Sequence, residues 1–264
     1  MDIYGTVKAR LGGDGFSIGK SEFGRDILCV HRGSSGGRQI IVTAGIHARE
    51  CYTALVPLRQ LQTFTGVGGV YFVPLVNPDG AAFFENGDTA GSEFLERMKP
   101  LRREWKSNGR GVDLNCNFDA NWGTGDGNTT VRGSHGCIGD RPTSEAEVRA
   151  LCDFTRQVAP AMTISYHCMG GELYWEFFQN GEKRERDKKL ASEIARHIGV
   201  KRVDGDLGSA GGYKDWCVMK LGIPAVTIEL IKYGSHPFGP EDYAADVEAN
   251  RDLPGYVLSL LGEK

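Results

Sequence analysis

The chain alternates short apolar, β-branched runs with segments of helical period, and three of those runs end at side chains suited to chemistry. Ile40-Ile41-Val42-Thr43-Ala44 is the strongest. It breaks at Gly45 and delivers His47, then Glu50. A continuous apolar run of that length, punctuated by glycine, reads as a buried strand running into a loop. Met162-Thr163-Ile164-Ser165-Tyr166 repeats the pattern and ends at His167, and Ala225-Val226-Thr227-Ile228 ends at Glu229. Val70–Val76 predicts a further strand, closed by the turn Asn77-Pro78-Asp79-Gly80. Residues 1–40 read as short strands and glycine-rich turns, the last strand ending near Val30.

Helical patterns fill the intervals. One follows Glu50 to about Leu61, and Pro57 within it predicts a kink or a late start. Pro142-Thr143-Ser144-Glu145-Ala146-Glu147 opens another that runs to about Val158, with Ser144 and Glu147 at capping-box spacing. Further helices are predicted over about 182–198, 211–222 and 243–261. Residues 81–141 carry little periodicity and much glycine, the mark of a long functional loop. Strands alternating with helices, without repeats or a low-complexity linker, predict one α/β domain over residues 1–264.

Composition narrows the class without naming a function. With 264 residues, 40% apolar and 25% charged, and a net charge of −3, the chain has an ordinary globular composition and can bury a substantial core. Basic residues are balanced by acids and form no extended stripe, which argues against a nucleic-acid partner. No run of 18 apolar residues exists, so no membrane-spanning helix is expected. The amino terminus lacks a basic region followed by an apolar stretch, so no signal peptide is visible and a cytoplasmic protein is expected. Seven cysteines, odd in number, scattered and without Cys-x-x-Cys spacing, agree with a reducing compartment.

Candidate chemistry gathers at the strand ends. A spacing of three places His47 and Glu50 on one side of a first helical turn. Imidazole nitrogen and carboxylate oxygen both suit zinc, at roughly 2.0–2.2 Å. Taken alone, such a pair after a strand is more often just a solvated loop. In open α/β sheets, however, ligands bind beyond the carboxyl ends of strands, where His47, Glu50, His167 and Glu229 would meet. Two histidines and a glutamate form a known catalytic zinc set that leaves the fourth position to water, and Glu229 then has a role as the base beside it. A rival mechanism uses Cys168 or Cys116 as a nucleophile with a histidine base. His31, His135, His197 and His236 lack a strand-end context and read as surface or packing residues.

On these residues the chain resembles the zinc carboxypeptidase family, the carboxypeptidase A-like metallopeptidases. The likeness runs from about Ile18 to the carboxyl terminus, through His47-Ala48-Arg49-Glu50, Gly111-Val112-Asp113-Leu114-Asn115, His167 and Thr227-Ile228-Glu229-Leu230. The resemblance implies a three-layer α/β/α fold with a mixed, roughly eight-stranded sheet. It also implies one zinc per chain on His47, Glu50 and His167, Glu229 as general base and Asn115 as a substrate-binding residue. The family's carbonyl-polarising arginine falls at Lys106. An arginine that grips a substrate's terminal carboxylate is expected after Asn115, and the residue there is Cys116. A thiol cannot replace a bidentate guanidinium. Counting back from Glu229 places the family's substrate-binding tyrosine near Leu207, and Tyr213, further along, is the candidate in this chain.

Three further stretches, 115–125, 167–175 and 211–216, resemble the bacterial γ-D-glutamyl-diamino acid peptidases within that family. That subgroup implies cleavage of the bond between the D-glutamate side chain and diaminopimelate or lysine in a peptide or muropeptide substrate. The alternatives are a carboxypeptidase that holds the terminal carboxylate by another residue, and a catalytically silent peptide-binding module. An intact Glu229 counts against the last.

Overall fold

Adjacent parallel strands with both faces covered read as unbroken apolar runs, and the centre of this protein is built that way. The structure, a computed structural model, describes residues 1–205 and 208–262. Its strands are β1 (Phe16–Lys20), β2 (Asp26–Gly33), β3 (Gln39–Ala44), β4 (Gly69–Val73), β5 (Met162–Cys168), β6 (Glu172–Tyr174), β7 (Lys201–Val203) and β8 (Ala225–Leu230). They form one eight-stranded sheet in the order β1-β2-β4-β3-β5-β8-β6-β7. The four central strands β4, β3, β5 and β8 run parallel, while β1, β2 and β6 join antiparallel to their inner neighbours. The sheet is therefore mixed, as expected.

Alternation of side chains splits the core into two layers. Ile40, Val42, Ile164, Tyr166, Val226 and Ile228 point to one face, where helices Ile3–Leu11, Leu55–Thr63, Gly181–Ile198 and Leu253–Leu261 cover them. Ile41, Val73 and Ala225 point to the other, beneath helices Ala146–Val158 and Tyr213–Trp216. On that second face a polar row crosses the centre: Thr43 Oγ1 lies 3.0 Å from Ser165 Oγ, and Ser165 is registered on Thr227. Two residues further along the same face stand His167 and Glu229, also in direct register.

Several local expectations are corrected. The amino-terminal stretch read as strands and turns begins with the helix Ile3–Leu11, capped by Asp2, whose side chain accepts from Gly5 N–H. Asn77-Pro78-Asp79-Gly80 is the start of helix Pro78–Asn86, with Asn77 as cap and proline at its first position. With helix Glu93–Met98, it gives the glycine-rich region more structure than its weak periodicity suggested. Pro57 resolves as a late start: residues Ala48–Ala54 form a 3₁₀ turn and the α-helix begins at Leu55.

The capping box at Ser144 is absent. Ser144 Oγ donates to Glu145, and Glu147 is fully buried. Asn108 Nδ2 donates to both Glu145 and Glu147, while its Oδ1 accepts the N–H groups of Arg110 and Val112. That amide therefore sets the loop on which Asp113 and Asn115 ride. Burial, with Asp79 and Glu22 adding to it, pushes the Glu147 carboxyl up to about 8. The folded chain keeps a proton that the unfolded chain releases near 4.5, so stability falls as pH rises between those two values. Wild type should lose roughly 1–3 kcal/mol from pH 5 to 8 relative to Glu147→Gln, read from urea midpoints across pH. Parallel pH curves for the two proteins would show that Glu147 ionises normally.

Candidate active site

Beyond Ala44 the chain must turn sharply to bring His47 back over the sheet. Gly45 has φ +60°, and a Cβ there would meet Leu75 Cδ1 at 2.5 Å, so the turn demands glycine. His47 then caps the 3₁₀ turn that carries Glu50. Lys106 O and Trp105 O accept the N–H groups of Ala48 and Arg49, which ties the Lys106 loop to the same turn.

The buried side chains of His47, Glu50 and His167 converge, with their candidate ligand atoms all within 4.8 Å of one another. His47 Nδ1 lies 2.9 Å from Glu50 Oε1 and 3.3 Å from His167 Nδ1, and His167 Nδ1 lies 3.5 Å from Glu50 Oε2. Four ligands at ~2.1 Å around zinc sit ~3.4 Å apart along the tetrahedron's edges. The set thus has the spacing of a zinc site before any ion is considered. Asp113 Oδ1 stands 3.2 Å from His47 Nε2, off the line of a finished hydrogen bond but close enough to hold the proton on that nitrogen. His47 Nδ1 is then a bare lone pair facing a carboxylate and a second imidazole. Acceptors so crowded call for a cation between them, so the donor set fits zinc.

Charge alternates through the site. Lys106 Nζ pairs with Asp113 Oδ2 at 3.0 Å. Burial opposes ionisation of Asp113, yet Lys106 and His47 hold its carboxyl well below the usual range. Burial likewise works against charge on Glu50, and its two histidines overcome it. Glu229 behaves differently. Desolvation pushes its carboxyl up to about 7, with Glu50 and Glu172 adding to the rise against His167 and Lys106. Glu172 is its register partner on β6. A carboxyl titrating near neutrality is matched to taking up and releasing a proton.

These groups open onto a cleft of about 290 Å³, into which His47, His167, Glu229, Lys106 and Asn115 face. Asn115 Oδ1 accepts the Tyr213 N–H at 3.1 Å, which turns the amide nitrogen outward. Tyr213 itself departs from expectation. Its ring is buried, its hydroxyl meets Thr155 Oγ1 at 2.7 Å, and it forms no part of the cleft wall. Leu207 lies outside the described residues. Cys116 lines an adjoining cleft of about 380 Å³ together with His135. Cys168 is buried, and His236 Nε2 lies 3.1 Å from its carbonyl. Burial pushes both thiols up, with Asp113 acting on Cys116 and Glu50 on Cys168, so neither is poised as a nucleophile. His31 and His197 are packing residues, on Tyr71 and Tyr256. Sequence reasoning missed Asp113 and Lys214, although both lie inside stretches already singled out.

The fold and the cluster define an α/β protein with a candidate mononuclear metal centre at the carboxyl ends of parallel strands. Residues 15–250 match the zinc carboxypeptidase family. The chain belongs to that family. It is 30% identical over 241 residues to gamma-D-glutamyl-L-diamino acid endopeptidase 1 of Lysinibacillus sphaericus, covering 82% of this chain and 60% of that protein. The chain thus spans less than two thirds of that relative's length.

Among solved structures, carboxypeptidase A from Helicoverpa armigera superposes with a TM-score of 0.73 at 18% identity, covering 93% of this chain and 67% of that one. Murein-tripeptide amidase MpaA from Escherichia coli O157 gives 0.66 at 22% identity and covers 92% of each chain. At these identities the structures establish a shared fold.

Replacing Asp113 by asparagine keeps its shape and removes the charge that orients His47. Zinc affinity, measured by competition with a chromogenic chelator, should fall about 10–100-fold. Unchanged affinity would mean that His47 is oriented without Asp113.

Proposed function

We propose that the protein is a zinc metallopeptidase that hydrolyses the amide bond between the D-glutamate side chain and a diamino acid in cell-wall peptides. Residues 1–264 act in this reading as one catalytic domain, with one zinc held by His47, Glu50 and His167. The observation that carries the chemistry is Glu229, standing in register beside His167 and facing the cleft with a carboxyl near neutrality. Zinc bound there supplies a Lewis acid and lowers the pKa of a bound water toward ~7.

The chain's own groups do the rest. Glu229 takes a proton from the attacking water and passes it to the leaving amine as the C–N bond breaks. Lys106, a cation anchored on Asp113, faces the same cleft and offsets the charge that develops on the carbonyl oxygen. Asn115 presents its amide to the substrate, and Asp113 positions His47. Cys116 supports the substrate class, because no guanidinium follows Asn115 to grip a terminal carboxylate. The name of the relative at 30% identity points the same way. Seven free thiols fit a reducing, cytoplasmic setting. No helix among the described residues is long and apolar enough to cross a membrane.

Mass spectrometry of products from L-Ala-γ-D-Glu-meso-diaminopimelate, beside C-terminal reporter peptides, tests this reading. Cleavage at the γ-D-glutamyl bond is expected. It should vanish with a chelator and fall about 10²–10⁴-fold in Glu229→Gln while metal analysis still finds one zinc per chain. Release of C-terminal residues instead would make the protein a carboxypeptidase. No cleavage by the zinc-loaded protein would leave a binding module.

A further inference from the structure

The proposed reaction places a lysine where position matters. A guanidinium is aimed by its rigid fork, whereas Lys106 carries a point charge on a flexible four-carbon stem. One end of that stem is held by Asp113 Oδ2, 3.0 Å from Nζ. The other end is held through the backbone. Trp105 O and Lys106 O accept the N–H groups of Arg49 and Ala48, so residues 105–106 run beside the turn that carries Glu50.

Beyond that pair, two carbonyl oxygens share one donor. Asn77 Nδ2 donates to Ile46 O and to Ser107 O, each at 3.1 Å. Ile46 precedes His47 and Ser107 follows Lys106. An amide nitrogen has two hydrogens, and both are spent here on acceptors that could not otherwise approach one another. Asn77 is fully buried, and its orientation is fixed from the other side, because its Oδ1 accepts the Gly80 N–H at 2.9 Å as the cap of helix Pro78–Asn86. The fit admits no side chain at residue 80: a Cβ on Gly80 would lie 2.6 Å from both Asn77 Nδ2 and Ser107 O.

We propose that Asn77 is a positioning residue for the reaction: its amide straps the Lys106 loop to the segment carrying His47 and sets where the Lys106 ammonium stands relative to the metal ligands. The inference rests on the role given above to Lys106, and adds a residue that acts through it from the core. The metal ligands have supports of their own. Asp113 stands against His47, and the Cys168 N–H donates to Glu50 Oε2. Between Ser107 and the His47 segment, the Asn77 amide is the hydrogen-bonded link among the described residues. Loss of the strap therefore falls on Lys106 before it reaches the metal.

Asn77→Asp removes the strap and keeps the cap, since aspartate caps a helix as well as asparagine does. Its second oxygen would face two carbonyl oxygens that have lost their donor. The variant should fold and bind zinc within about threefold of wild type, by chelator competition. It should lose about 10–100-fold in kcat with KM changed less than about threefold, the cost of displacing a group that acts in the transition state by about 1 Å. The decisive readout is a double-mutant cycle with Lys106→Met. In that background Asn77→Asp should cost less than about twofold in kcat. Asn77→Ser, also a helix cap and too short to reach both carbonyls, carries the same cycle if the charged variant does not fold.

An equal loss in the Lys106→Met background, or a loss of zinc affinity in proportion to activity, would make Asn77 a structural residue and overturn the strap while Lys106 keeps its role. Wild-type kcat in Asn77→Asp would overturn it too. Wild-type kcat in Lys106→Met would remove the role of Lys106 itself, and the strap with it. The cycle is read on whichever peptide the protein cleaves, so it stands apart from the γ-D-glutamyl assignment, and no cleavage of any peptide would overturn both.

Discussion

The site depends on the register of three parallel strands. Because β3, β5 and β8 lie side by side, with Ala44 level with Tyr166 and His167 level with Glu229, residues far apart in sequence become neighbours at about strand spacing, ~4.8 Å. A slip of one residue would turn His167 or Glu229 to the opposite face. That slip is blocked by the core: Ile164 and Tyr166 would leave one apolar layer, and Thr163, Ser165 and His167 would enter it. The interior that holds the sheet together therefore also aims the chemistry, and no loop needs to close to assemble the candidate ligands.

Charge is then arranged by what each group faces. Lys106, Asp113, His47, Glu50 and His167 form a line in which basic and acidic side chains alternate until His167, each within 3.5 Å of the next. Glu229 stands at the end of that line with two carboxylates and two basic groups around it, and desolvation tips the balance toward its protonated form. The separation is chemically useful. Glu50 is locked as an anion and suited to holding a cation, while Glu229 is left free to exchange a proton.

The strand ends were legible in sequence because buried parallel strands are continuously apolar and their terminal polar residues stand out. His47, Glu50, His167 and Glu229 were all found that way, and the structure brings them together at one cleft. What was missed had weaker local signals. The helix Ile3–Leu11 offers only Ile3, Val7 and Leu11 at helical spacing, with Gly5 between them, so its apolar face shows only against the sheet. Asn77-Pro78-Asp79-Gly80 carries signals shared by a turn and a helix start, and tertiary packing chose the helix. Ser144 and Glu147 matched a capping box, but burial drew Glu147 into a network with Asn108 and Glu22. Lys214 could not be picked from its neighbours, since Tyr213 faces the core while Lys214 faces the cleft, and a four-residue helix gives no period to separate them.

Two segments that flank the cleft are stitched to each other through their backbones. Phe118 N–H donates to Gly211 O, Gly211 N–H donates to Ala120 O, and the φ of +81° at Gly211 allows an approach in which a Cβ would meet Cys116 O at 2.7 Å. Neither segment can be exchanged without reshaping the other. Grafting a single loop from a relative would break the seam before it altered selectivity. For protein engineering, the adjustable features of this scaffold are its side chains, and the outline of the cleft is inherited with the fold.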